Sequence, residues 1–258
     1  MRVYLEVARL SFRRYSTYRI STVAGVFTNT VFGFILVSVL RTALGSRSIG
    51  GLTADKATAF TFVTQGLLMV TMAFGDFEHV DRVRTGEVAV ELLRPLDYSM
   101  YRLSGDLGRS AFALVARGLP PFLVGWLVYR FEVPDPGRMA LFLVAVVGGA
   151  MVASRGLTVV ATLAFWMTDG SGAMQIATAF NLVACGATIP LQFYPDGVLW
   201  LLRLSPWAAT IQRPVEVYLG LSGLLPVVAA QLFWIVVLEG VLRVELRAAQ
   251  LQLVVNGG

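Results

Sequence analysis

Apolar residues in this chain fall into six long runs, each closed by short polar punctuation. The clearest, Ile20–Leu40, contains no charged residue. The others are Ala57–Gly75, Ser110–Tyr129, Met139–Phe165, Gly172–Phe193 and Gly223–Leu242. A bilayer core about 30 Å thick needs about 20 such residues in a helix. In lipid every backbone group must find its partner inside the segment, so the runs predict helices rather than strands. The expected fold is an all-α integral membrane protein with six transmembrane helices. The fourth run is long for a straight crossing, so it should tilt or break near Gly148-Gly149 or Arg155-Gly156. Pro120-Pro121 should kink the third.

The pattern changes at three places. Residues 1–19 are amphipathic: at helical spacing Arg2, Glu6, Arg9 and Arg13 share one narrow face, and apolar residues cover the rest. That fits a helix lying in the membrane interface, and the first apolar run that follows it reads as a retained anchor rather than a cleaved signal peptide. The connection 76–109 is the largest non-membrane piece. The connection 194–222 holds Val198–Leu204 and Ala208–Leu219, apolar but too short to cross, so both should be short helices on the opposite face. Residues 1–258 read as a single membrane domain.

Composition agrees and sets limits. Mean hydropathy is +0.70, and 14% of residues are charged, well below the soluble-domain norm of about 25%. Cys185 is the only cysteine and His79 the only histidine, which argues against a disulfide framework and a thiolate or multi-histidine metal site. The net charge of +5 is explained by membrane orientation rather than nucleic acid. Arg and Lys near the run ends favour both termini and the 76–109 connection on the cytoplasmic side.

Enzyme chemistry finds little support. A Walker A loop needs G-K-[ST], and the only lysine, Lys56, lies between Asp55 and Ala57. The run Leu103-Ser104-Gly105-Asp106 superficially resembles an ABC ATPase signature, without any P-loop to accompany it. Asp169-Gly170-Ser171-Gly172 is a near miss for a serine nucleophile turn, but an intramembrane serine protease needs a histidine on a neighbouring membrane helix.

The 76–109 connection carries the most specific signal. In Thr85-Gly86-Glu87-Val88-Ala89-Val90-Glu91-Leu92-Leu93-Arg94-Pro95, Thr85 suits a helix cap, Glu87 the first turn, Arg94 the last turn and Pro95 the stop. Glu87 and Glu91 lie one turn apart, beside an apolar stripe of Val88 and Leu92. Inside the runs, Asn29, Gln65, Arg155 and Asn181 are candidates to line a path, or to bond helices to one another. Arg117, Gln231 and an ion pair of Glu239 with Arg243 complete the polar set.

Arg84-Thr85-Gly86-Glu87 followed by Leu92-Leu93-Arg94-Pro95-Leu96 resembles the inner-loop motif of type-2 ABC transporter permeases, in the compact six-span branch without a fused ATPase domain. Ile189-Pro190-Leu191-Gln192-Phe193-Tyr194-Pro195, with Leu204-Ser205-Pro206-Trp207 and Arg213-Pro214, resembles that branch's outer segment. The resemblance covers essentially the whole chain. It implies a permease subunit of an ATP-driven exporter in a bacterial cell membrane. It also implies two ABC ATPase subunits that hold ATP and Mg, and a second permease subunit. No cofactor is implied in this chain itself. Glu87, Glu91 and Arg94 become the expected ATPase contacts on a coupling helix. A non-transporting membrane scaffold or sensor subunit is the alternative.

Overall fold

Polar side chains that can cap a helix start several of the helices of this chain. The computed structural model describes residues 2–167 and 170–256, and among these every regular element is helical. Helix α1 (Arg2–Ser16) leads by a turn into α2 (Arg19–Leu44), which stops at Gly45 with φ +54°. Thr53 opens α3 (Ala54–Val70) by accepting a bond from the Lys56 amide. Nearly all of α3 is buried, but its 17 residues give only roughly 26 Å at 1.5 Å per residue. The chain then turns through Met72 and Gly75, both at positive φ.

The 76–109 connection is far more ordered than a loop. Asp76 caps α4 (Phe77–Arg84), a second short helix α5 spans Glu87–Leu92, and Asp97 caps α6 (Tyr98–Ala113) by accepting from the Met100 amide. The helix of the third apolar run therefore starts a dozen residues earlier than the run suggests. It passes through a π-helical turn, Leu114–Gly118, into α7 (Leu119–Tyr129). Pro120 and Pro121 lack amide donors and crowd the preceding turn, and the wider turn absorbs that conflict.

Helix α8 (Pro136–Thr162) runs unbroken through Gly148-Gly149 and Arg155-Gly156, so of the expected tilt or break there is no break. Its glycines serve packing instead: a Cβ on Gly148 would lie 2.2 Å from Gln231 Oε1, and one on Gly149 2.4 Å from the Thr210 carbonyl. Helix α9 (Ser171–Ala184) is shorter than its run. It ends at Cys185 and Gly186, the glycine at φ +78°, and Pro190 prevents a restart before a 3-10 turn at Leu191–Phe193. Three short helices follow: α10 (Asp196–Leu204), α11 (Pro206–Thr210) and α12 (Gln212–Tyr218). Helix α13 (Leu224–Asn256) closes the described chain.

Among the described residues, four helical stretches are long and apolar enough to cross a membrane: α2, α6 with α7, α8 with the turn after it, and α13. Helices α3 and α9 occupy the other two apolar runs at shorter length. Small residues permit the close contacts. Phe62 fills the space left by Gly33 and Gly125, where an added Cβ would stand 2.7 and 2.3 Å from its ring. Gly66 and Gly118 bring α3 and the π turn to backbone contact.

Helix α1 has a protein partner as well as its amphipathic surface. A Cβ on Gly108 of α6 would lie 2.0 Å from the Ala8 carbonyl, and Phe12 meets Phe112 edge-on at 5.6 Å. Arg14 pairs with Glu78 of α4 at 2.8 Å, and Arg243 of α13 pairs with Asp97 at 3.3 Å. So α1, α4, α5, the start of α6 and the later part of α13 share one end of the bundle. Helix α12 lies at the other end, where the Tyr218 hydroxyl donates to the Glu132 carbonyl at 3.2 Å.

Candidate functional site

Helix α5 is too short to be stable alone and is held by its neighbours. Val88 is fully buried under it, packing with Val80, Val83 and Tyr98. Thr85 does not cap α5: it closes α4, and Gly86 at φ +78° starts the next turn. The two carboxylates of α5 also part company. Arg82 of α4 reaches both, bonding Glu87 Oε2 at 3.4 Å and Glu91 Oε1 more closely. Glu87 stays 62% exposed at its side chain, while Glu91 is turned inward at 6%. The outward surface therefore consists of Glu87, Val90, Leu93 and Arg94. Val90 is 62% exposed and Leu93 86%, and the stripe of Val88 and Leu92 faces the other way, with Leu92 half-buried.

Behind this surface lies a connected set of charges. Arg102 Nη2 stands 2.6 Å from Asp76 Oδ2 and 3.7 Å from Asp106 Oδ1. Asp106 Oδ2 in turn accepts from Ser154 of α8 at 2.6 Å. Next to Ser154, Arg155 donates to the Ser99 carbonyl at 2.8 Å and pairs with Glu239 of α13 at 3.1 Å. Glu239 also accepts from Ser99 Oγ and from Arg243 Nε, both at 2.7 Å. Apart from Arg243, which is exposed, these charges sit where water is scarce, so each needs its partner in place. His79 is buried among them, with its Nε2 3.1 Å from the Tyr98 hydroxyl. Burial, and then the Arg102 guanidinium, hold its pKa well below the usual histidine value.

The polar residues expected inside the spans land at helix contacts. Asn29 of α2 donates to the Gln65 carbonyl of α3 at 3.2 Å, and Gln65 is itself buried. Asn181 of α9 donates to the Ala73 carbonyl at 3.3 Å. Gln231 of α13 donates to the carbonyls of Ala145 and Ala209, at 2.8 and 3.0 Å. Arg117 donates to Ser21 Oγ at 3.1 Å. These bonds tie helices together. The expected pair of Glu239 with Arg243 is present, but as one edge of the larger network.

Sequence reasoning missed Arg82, Arg102 and Asp106. The spacing of Arg102, Asp106 and Arg109 on one helical face was the available signal, together with the capping positions of Asp76 and Asp97. Leu103-Ser104-Gly105-Asp106 lies inside α6, not in a phosphate-binding loop. In Asp169-Gly170-Ser171-Gly172, Asp169 falls outside the described residues, and Ser171 begins α9.

Residues 27–252 match the protein family described as ABC-2 family transporter protein. No curated protein and no solved structure matches the chain.

Proposed function

Because the chain belongs to the ABC-2 transporter family, as a permease component in a membrane, we propose that it is the transmembrane subunit of an ATP-driven exporter energised by a separate ATPase. In this reading all six apolar segments cross or enter the cell membrane, and both termini and residues 76–109 face the cytoplasm. A second permease subunit completes the pathway, and two ATPase subunits supply ATP and Mg chemistry from below. Substrate passes at the contact of the two permeases, the element with two arrangements.

The observation that carries the proposal is the outward face of α5. Val90 and Leu93 project from a braced helix, with Glu87 and Arg94 beside them. Full burial of a leucine side chain is worth about 2 kcal/mol, so this face has reason to meet a partner. Glu91 supports it from behind through Arg82 rather than by touching the partner. A push on α5 then reaches α4 through Arg82, α6 through Asp76 and Arg102, α8 through Ser154, and α13 through Arg155 and Glu239. Breaking one buried pair costs about 3–5 kcal/mol. This end of the bundle therefore moves as a unit, and the push is not dissipated within it. Asn29, Gln65 and Asn181 serve as ties in that unit, and any path lies at the permease contact.

Val90→Glu and Leu93→Glu, each in chain co-expressed with its cognate ATPase, test the reading. The variants should fold and insert, yet retain ATPase about tenfold less well or worse, a loss of roughly 1.4 kcal/mol. Glu132→Ala, at the other end of the bundle, should change nothing. Undiminished ATPase retention and transport-linked hydrolysis in both variants would remove this face from the mechanism and favour a scaffold or sensor role.

A further inference from the structure

Between α1, α4 and α6 lies a cavity of about 330 Å³. Its walls carry Arg14, Arg82, Arg102 and Arg109 against Asp76, Glu78 and Asp106. Most of these are matched within the chain. Arg14 holds Glu78, Arg102 holds Asp76 and Asp106, and Arg82 turns to Glu87 and Glu91 outside the cavity.

Arg109 differs. It is 8% exposed and donates to the carbonyls of Met69 and Val70 and to Ser110 Oγ. Among the described residues no carboxylate lies within 4.0 Å of it, and its Nε has no hydrogen-bond partner. His79 is 1% exposed and lines the same cavity with its Nδ1 unpartnered. Asp106 and Asp76 act on Arg109 only from beyond 4.0 Å, so its direct partners are carbonyl dipoles and one hydroxyl, and an anion beside it relieves the cost of its burial. Tyr15 and Tyr101 add hydroxyl donors to the walls.

We propose that this cavity binds a phosphate-bearing anion, with Arg109, which has no ion pair within 4.0 Å among the described residues, as its main cation and Tyr15 of α1 in its wall. The volume accommodates a phosphate group with a small polar substituent. A lipid headgroup is the source the geometry favours. Helix α1 buries none of its residues and exposes Val3 and Leu5, as a helix resting on a bilayer does. A cavity roofed by that helix lies at headgroup depth, where basic pockets take anionic lipids. The bound anion then joins α1 to α4 and α6 beyond their direct contacts. The inference stands apart from the ATPase-docking face.

The test titrates purified, delipidated full-length chain in neutral detergent. The probes are dioctanoyl-phosphatidylglycerol, dioctanoyl-phosphatidylcholine and inorganic phosphate. Phosphatidylglycerol should bind about tenfold or more tightly than phosphatidylcholine, the scale of one charge-assisted pair. Arg109→Gln removes the cation. Gly105→Leu fills the cavity, because a Cβ there meets only Val7 at 3.9 Å. Each should weaken binding about tenfold, while Arg47→Gln, on an exposed loop, should not. Binding of phosphatidylglycerol without inorganic phosphate assigns the site to a headgroup, and binding of inorganic phosphate as well assigns it to small phosphates. The proposal is overturned if neither anion binds, if phosphatidylcholine binds equally, or if Gly105→Leu binds like the wild type. Gly105→Leu keeps the test decisive even if Arg109→Gln misfolds.

Discussion

Arg155 and Glu239 form a buried pair whose two members should not be equally expensive to lose. Glu239 has three donors: Arg155 at 3.1 Å, Arg243 at 2.7 Å and Ser99 Oγ at 2.7 Å. Arg155 has one carboxylate and one carbonyl, and its side chain is 3% exposed against 21% for Glu239. Glu239→Gln strands a guanidinium in a dry helix contact, a loss of about 3–5 kcal/mol. Arg155→Met fills similar space and leaves Glu239 with two donors, so it should cost only about 1–3 kcal/mol, the scale of a charged hydrogen bond. The double variant should be no worse than Glu239→Gln alone, giving a coupling of about 1–3 kcal/mol. Unfolding in mixed micelles of rising dodecyl sulfate fraction, followed by helicity, measures all three. A larger cost for Arg155→Met than for Glu239→Gln, or additivity within about 0.5 kcal/mol, would refute the reasoning.

Two further predictions concern pH and sidedness. His79 is held neutral in the folded chain with a depressed pKa, so the unfolded chain binds the extra proton first as pH falls. Its stabilisation is complete above about pH 6.5 and should fall by about 1.4 kcal/mol per pH unit below that, until the folded pKa is reached. Unfolding between pH 7.5 and 5.5 should show this slope, and His79→Gln should flatten it. For topology, Gly197→Cys should react with an impermeant maleimide added outside cells, and Thr85→Cys should not. Cys185 is fully buried and should stay silent in both, and the reverse pattern would sink the orientation.

Much of the architecture was legible because apolar runs and prolines report on burial and on helix ends. The runs locate α2 and α8 closely and the start of α13, which continues well past Leu242, and Pro195 and Pro206 mark off the short helices of the outer segment. Run length misled where helices bury charge. Arg102, Asp106 and Arg109 made the start of α6 look like a loop, yet Asp76 and Ser154 hold the first two inside the bundle, and Arg109 is buried against the Met69 and Val70 carbonyls with its Nε left over. Gly148 and Gly149 offered a break point in the long fourth run, yet the helix is continuous there and they are clearance for Gln231 and Thr210. On α5 the spacing of Glu87 and Glu91 is the same whichever way the helix faces. Only Arg82, packed beneath it, decides that Glu91 turns inward.

The contact of Ala8 with Gly108 also bears on the order in which the chain is made. Helix α1 leaves the ribosome before α6, its seat lying roughly 100 residues later, and synthesis runs at about 5–20 residues per second. For about 5–20 s the nascent segment has no protein surface to rest on, so its apolar side must be sheltered by lipid or a chaperone. Docking of α1 is therefore a late event in biogenesis, and a chain stalled before Gly108 would carry its first helix undocked.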